Sequence, residues 1–219
     1  MTFSLDDDRD IETILGTAPV VPVLVIEQVD LALDLAKALA AAAMTTLEIT
    51  LRTRAALEAV KLIREALPNL CVGVGSVRTP AQLNAAALAG AAFAVSPGAG
   101  PKLLDAAHDD PLPFLPGAAT ASEAMALAER GYTIQKFFPA EPAGGTRYLR
   151  ALAGPLPELR FCPTGGVTAA NARDYLALDN VIAVGGSWMV PSAAVASGDW
   201  AAITELARAA VAIGQGRAV

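Results

Sequence analysis

Histidine, cysteine and lysine are scarce in this 219-residue chain: one histidine (His108), two cysteines (Cys71 and Cys162) and four lysines. One histidine and no clustered cysteines leave no material for a His- or Cys-rich zinc or iron site. No carboxylate cluster at strand ends suggests magnesium either, so no metal is expected. Charged residues make up only 17%, with a formal net charge of -6. That balance argues against nucleic acid or an anionic membrane as partner, although a locally positive pocket can still hold a small anion. The uncharged run Asn84 to Pro101 is broken by Gly90, Ser96, Pro97 and Gly98 and does not read as a membrane span. The N-terminus (Asp6-Asp7-Asp8-Arg9-Asp10) is acidic and lacks the basic-then-apolar layout of a signal peptide. A soluble cytoplasmic protein is the expectation, with Cys71 and Cys162 as buried free thiols. His108, beside Asp109, Asp110 and Pro111, reads as a surface histidine near a helix end.

Apolar residues are plentiful, at 54%, enough for a large core. After a short acidic helix (about Asp6 to Gly16, within a leading segment 1–17 that packs on the rest), strand-like runs alternate with Ala- and Leu-rich helical ones. The strand candidates are Val20–Ile26, Thr46–Arg52, Leu70–Ser76, Phe93–Pro97, Pro113–Gly117, Ile134–Phe138, Arg160–Thr164 and Val181–Gly185. Helical segments such as Leu31–Ala42, Ala55–Leu67, Pro80–Ala89, Ala121–Arg130, Arg147–Leu152 and Ala169–Leu176 lie between them, and a last one runs from about Trp200 to Ile213. Such alternation implies parallel strands with right-handed crossovers. Eight units in this length predict an α/β fold: one (β/α)8 barrel domain over 1–219 with an extra N-terminal helix. A doubly wound open sheet is the second choice.

Three of the lysines, Lys37, Lys61 and Lys102, fall on amphipathic helical segments, where a solvated ammonium is ordinary. Lys136 instead lies in the apolar, aromatic run Ile134-Gln135-Lys136-Phe137-Phe138-Pro139. Burying an ammonium costs several kcal/mol unless it is paired or sheds its proton. Two readings stand: a structural lysine paired to a buried carboxylate, or a free amine that attacks a carbonyl.

Alternate residues of a strand share a face, so Glu48, Thr50 and Arg52 point one way and Leu47, Ile49 and Leu51 the other. A polar face on a barrel strand looks inward. Either Glu48 and Arg52 form an internal ion pair, or Arg52 forks a substrate carboxylate while Glu48 serves as acid/base. On the last two expected strands, Gly165-Gly166 and Gly185-Gly186-Ser187 each end a strand and lead towards a helical segment. Amides at such places bind phosphate, and in barrels that site follows strands seven and eight. Tight turns that need positive φ are the competing explanation. An amine, an acid/base, a carboxylate fork and a phosphate cradle together suit imine chemistry on a 2-oxo acid carrying a distal phosphate.

The motifs Val20-Val21-Pro22-Val23, Leu47-Glu48-Ile49-Thr50-Leu51-Arg52-Thr53, Gly73-Val74-Gly75-Ser76-Val77, Ser96-Pro97-Gly98, Lys136-Phe137-Phe138-Pro139-Ala140-Glu141, Arg160-Phe161-Cys162-Pro163-Thr164-Gly165-Gly166 and Gly185-Gly186-Ser187-Trp188 resemble the 2-keto-3-deoxy-6-phosphogluconate (KDPG) / 4-hydroxy-2-oxoglutarate (KHG) aldolases over essentially the whole chain. The resemblance implies a class I, metal-independent aldolase on a TIM barrel, usually trimeric, with no cofactor beyond a covalent imine between substrate and Lys136. Its reaction would cleave the phosphorylated keto acid to pyruvate and glyceraldehyde 3-phosphate in the Entner–Doudoroff route. By motif position Lys136 looks like the Schiff-base lysine and Glu48 like the acid/base. Arg52 matches the pyruvate-carboxylate ligand, and Ser76, Pro97 and Thr164 fall at substrate-binding positions. Gly165, Gly166, Gly185, Gly186 and Ser187 fall at phosphate-binding positions.

Two departures stand out. Ser76 occupies a place usually held by threonine, which keeps the hydroxyl and loses a methyl. The run Ala40-Ala41-Ala42-Ala43-Met44-Thr45-Thr46 replaces a usual Gly-Gly. A helix commonly ends on a positive-φ glycine, and an alanine forced there costs about 1 kcal/mol. Either the helix exit differs, or an apolar Ala40–Met44 surface, natural or engineered, meets another chain. Two further readings stay open: an aldolase preferring unphosphorylated 4-hydroxy-2-oxoglutarate, and a trimeric scaffold subunit with an idle site.

Overall fold

The computed structural model describes residues 10–216. The Asp6–Arg9 part of the expected first helix lies outside the described residues. Helix α1 (Ile11–Gly16) is capped by Asp10, whose carboxylate accepts the Thr13 N–H at 2.8 Å. The strands are β1 (Val20–Leu24), β2 (Thr46–Thr50), β3 (Cys71–Gly75), β4 (Ala94–Val95), β5 (Phe114–Leu115), β6 (Gly117–Ala118), β7 (Ile134–Phe137), β8 (Arg160–Pro163) and β9 (Val184–Gly186). The remaining helices are α2 (Val29–Ala40), α3 (Ala56–Ala66), α4 (Pro80–Leu88), α5 (Pro101–Asp109), α6 (Ala121–Ala128), α7 (Gly145–Leu152), α8 (Ala172–Leu176), α9 (Ser192–Ser197) and α10 (Trp200–Gln215).

All ladders are parallel, giving an α/β fold around a curled sheet. Six strands run in the order β5-β4-β3-β2-β1-β9, and three in the order β6-β7-β8. Only Pro116, which has no N–H to give, separates β5 from β6. Isolated bridges join Phe161 to Val181 and Thr164 to Gly185.

Strand parity sorts the core into two layers. Leu47, Ile49, Val72, Val74, Phe137 and Phe161 belong to the large cluster shared with the helices. Val21, Cys71, Phe93, Val95, Leu115, Ile134, Cys162 and Ile182 form a second, interior cluster joined by Ile14 and Leu15 of α1. Helix α1 therefore packs on the N-terminal end of the sheet interior, and an Arg160–Glu12 ion pair at 2.6 Å ties it to the start of β8.

The exit of helix α2 does not differ from the glycine-type ending; an alanine takes the glycine position. Ala43 takes a left-handed conformation, φ 63°. The Met44 N–H reaches back to the Leu39 carbonyl at 3.1 Å, and the Ala43 N–H to the Ala40 carbonyl at 2.9 Å. These are the two bonds of a Schellman ending, with alanine where glycine is favoured. Met44 corrects the expected surface: it is 3% exposed and packs in the same cluster as Leu39. Of the Ala40–Met44 run, only Ala41 and Ala43 are solvent-exposed.

Candidate functional site

Lys37, Lys61 and Lys102 are exposed, whereas Lys136 is 5% exposed. Its strand is held from both sides, with Lys136 opposite Gly117 on β6 and Cys162 on β8. Alternation turns Ile134 and Lys136 into the interior. It turns Gln135 outward, where its amide donates to the Ala124 and Tyr132 carbonyls of the helical layer.

Inside, Lys136 Nζ lies 3.2 Å from Glu48 Oε1, and both side chains are almost wholly buried. Of the two readings of that strand face, the internal Glu48–Arg52 ion pair does not form. Strand β2 ends at Thr50, two residues short of the expectation: the Leu51 N–H still donates to the Gly75 carbonyl, but the Arg52 N–H turns back to the Thr50 carbonyl. Past that turn strand parity no longer applies, and Arg52 sits exposed at the C-terminal rim. Thr50 stays buried, its hydroxyl donating to the Leu24 carbonyl at 2.9 Å.

Gly75 has a role that sequence reasoning missed. A Cβ there would collide with the Glu48 carboxylate, lying 2.7 Å from its Cδ. The missing side chain on β3 is the space into which the acid projects. Gly75 stands opposite Thr50, and Gly73 opposite Glu48; two glycines in alternate positions of the strand beside an inward glutamate were the available signal. Cys162, beside the pair, is a buried thiol outside any disulfide. Burial pushes its pKa up to about 12, with Lys136 opposing and Glu48 reinforcing the shift.

The other expected site residues gather at the C-terminal ends of the strands. Ser76 is half-buried with φ 60°, immediately after β3. A β-branched threonine would tolerate that conformation less well than serine. Pro97 is half-buried after β4, and its carbonyl packs where a Cβ on Gly117 would stand. Thr164 is buried beyond β8, and its side chain fills the place of a Cβ on Gly185.

The two glycine pairs differ in kind. Gly165 and Gly166 have φ of 98° and 84°, a turn that other residues enter with strain. Gly185 and Gly186 are buried, Gly186 closes β9, and neither has positive φ, so their lack of a side chain serves close packing against Thr164 and Trp188. Ser187 is exposed just beyond. The Thr164–Gly185 bridge sets the two loops side by side. Helix α8 starts at Ala172, later than expected. Its lead-in is an Asn171 turn, whose carboxamide accepts the Thr168 N–H and donates to the Gly166 carbonyl. Between amine and glycine turn stands Phe138, its ring centroid 5.5 Å from Lys136 Nζ and its edge 3.2 Å from where a Gly165 Cβ would sit.

His108 is exposed in the last turn of α5. Among the described residues no group of three or more His, Cys, Asp or Glu side chains could hold a metal ion, and no helix is long and apolar enough to cross a membrane.

A family model described as KDPG and KHG aldolase matches residues 11–206. The 2-dehydro-3-deoxy-phosphogluconate aldolase of Dickeya dadantii (strain 3937) is 51% identical over 201 residues, spanning 92% of this chain and 94% of the relative. The KHG/KDPG aldolase of Escherichia coli (strain K12) is 49% identical over 200 residues, spanning 91% and 94%. A KDPG aldolase from Legionella pneumophila, solved with pyruvate captured at low pH as a covalent carbinolamine intermediate, is similar in structure. Its TM-score is 0.89 at 44% identity, covering 91% of this chain and 97% of the other.

Proposed function

The chain belongs to the KDPG and KHG aldolase family, and on that premise we propose that it is a class I aldolase cleaving 2-keto-3-deoxy-6-phosphogluconate to pyruvate and glyceraldehyde 3-phosphate. The observation that carries this reading is the buried Lys136–Glu48 contact at 3.2 Å. A proton passed from the amine to the carboxylate leaves a nucleophile beside an acid. The amine adds to the C2 ketone, Glu48 gives its proton to the carbinolamine hydroxyl, and water leaves to form a protonated imine beside the regenerated carboxylate. Glu48 takes the proton of the C4 hydroxyl as the C3–C4 bond breaks and its electrons pass into the imine. The aldehyde leaves, the enamine is reprotonated at C3, and hydrolysis returns Lys136 and pyruvate. Arg52 forks the carboxylate, with Ser76, Pro97 and Thr164 around the keto acid. Gly165, Gly166, Gly185, Gly186 and Ser187 offer backbone and hydroxyl donors to the distal phosphate. No cofactor is needed beyond the covalent imine.

Borohydride reduction in the presence of pyruvate, followed by peptide mass spectrometry, tests the assignment. The expected product is one stable adduct, on Lys136, absent from Lys136→Ala. An adduct on another lysine, or none in the wild type, rejects the mechanism.

The relative from Escherichia coli carries both substrates in its name, which supports a second activity on 4-hydroxy-2-oxoglutarate, giving pyruvate and glyoxylate. Comparing kcat/KM for the two substrates ranks them. The same reading carries a single domain over 1–219 with its strands closed into an eight-stranded barrel, β5 and β6 counting as one strand interrupted at Pro116. The Phe161–Val181 and Thr164–Gly185 bridges support that closure. It also carries a cytoplasmic homotrimer; sedimentation velocity tests the trimer, and a monomer mass would discard it.

A further inference from the structure

We infer that Glu141 and Tyr175 are positioning residues: joined to each other, they hold the Gly165–Gly166 turn in place relative to Lys136 and thereby set the preference for a phosphorylated keto acid. This rests on the reading of that turn as part of a phosphate site. Neither residue is needed for the amine chemistry itself.

Beyond the ends of β7 and β8 the chains stay paired. The Thr164 N–H donates to the Phe137 carbonyl at 2.9 Å, the Ala140 N–H to Thr164 at 2.8 Å and the Glu141 N–H to Gly165 at 3.0 Å. The backbone of Glu141 thus grips the first glycine. Its side chain crosses the second, since a Cβ on Gly166 would lie 2.6 Å from both Cβ and Cγ of Glu141. The carboxylate then accepts the hydroxyl of Tyr175, a wholly buried residue on α8.

One residue therefore holds the segment 165–175 at both ends, by its backbone at the turn and by its carboxylate at the helix that follows. Gly145 leaves room for the junction: a Cβ there would stand 3.1 Å from Glu141 Oε1 and 3.2 Å from the Tyr175 oxygen. A turn of two left-handed glycines is soft by itself, because glycine has the most backbone freedom to lose. A charge-assisted bond from a rigid, buried phenol removes that freedom. Burial first, then the bond to Glu141 and its charge, push the Tyr175 hydroxyl above its ordinary value near 10, so it remains a donor at working pH.

The experiment is steady-state kinetics on the full chain with 2-keto-3-deoxy-6-phosphogluconate and with 4-hydroxy-2-oxoglutarate, and with inorganic phosphate as competitive inhibitor. Tyr175→Phe should raise KM for the phosphorylated substrate about tenfold with kcat little changed, the signature of lost ground-state binding. The inhibition constant for phosphate should rise by the same factor, and kcat/KM on the unphosphorylated substrate should hold. Glu141→Ala, at an exposed position, should reproduce this pattern and carries the test should Tyr175→Phe fail to fold. Glu141→Gln, which keeps an acceptor, should largely restore it. Equal losses on both substrates, or no change on either, overturn the inference. A wild-type enzyme that forms the pyruvate adduct on Lys136 yet ignores phosphate overturns it too, whereas absence of that adduct strikes the proposed function instead.

Discussion

Lys136 and Glu48 are 88 residues apart in sequence and 3.2 Å apart in space, each buried and each the other's charged partner. Two charges taken out of water are an expensive pair for stability alone, since apolar residues of similar volume often serve as well. Their presence inside the sheet is best accounted for by chemistry.

Replacing Glu48 by glutamine keeps the shape and an acceptor for the amine while removing the base. We expect kcat to fall by roughly 10²–10⁴, the usual worth of a positioned acid/base, with far-UV circular dichroism unchanged. Turnover within a few-fold of wild type would refute the assigned role.

Gly75→Ala should mimic that loss from the neighbouring strand, because the new methyl occupies the place of the Glu48 carboxylate. The expected cost is about 1–3 kcal/mol of stability from overpacking, together with a fall in kcat. Urea denaturation and single-turnover kinetics measure the two effects. A variant with normal kcat would mean that Glu48 does not need its observed position.

Arg52→Ala should weaken capture of pyruvate about ten- to hundredfold, the worth of charge-assisted bonds to a carboxylate. Borohydride trapping across pyruvate concentrations reads this directly. The saturating yield of adduct should be unchanged, and an unshifted half-saturation point would remove Arg52 from the site.

Ala43→Gly should stabilise the protein by about 1 kcal/mol, which for a chain of this size raises Tm by roughly 2–4 °C. The residue is exposed with φ 63°, so glycine relieves strain without leaving a cavity. Scanning calorimetry decides it, and a lower Tm would count against the strain.

Cys162 makes the alkaline limb of stability steeper. Its folded value is pushed up to about 12 from an ordinary 9. Between those values the unfolded chain has lost a proton that the folded one keeps, so stability falls as pH rises through the window and is complete below it. Urea midpoints from pH 8 to 11 should decline less steeply for Cys162→Ala than for wild type, whatever their offset at pH 8. Parallel lines would contradict the shift.

The order of strands and helices is legible without coordinates, because alternating apolar runs and 3.6-residue periodicity are local properties of the chain. The sequence also singles out Lys136, since a lone lysine in an aromatic strand can be seen in the residues alone. The cost of an alanine at the exit of α2 was legible too, but not that the chain would accept that cost rather than leave the helix differently. What local pattern could not supply was the partner of each group. Parity along β2 put Arg52 on the face of Glu48 and left open whether the two pair, but the strand stops at Thr50, and the folded sheet sets Lys136 beside the acid. Met44 looked like surface and is core. Nothing near Glu141 or Tyr175 announced their bond, because α8 reaches that loop only after the chain has folded. These contacts arise on folding, because they depend on how strands are set against one another, and a chain read one residue at a time carries no record of distance across a sheet.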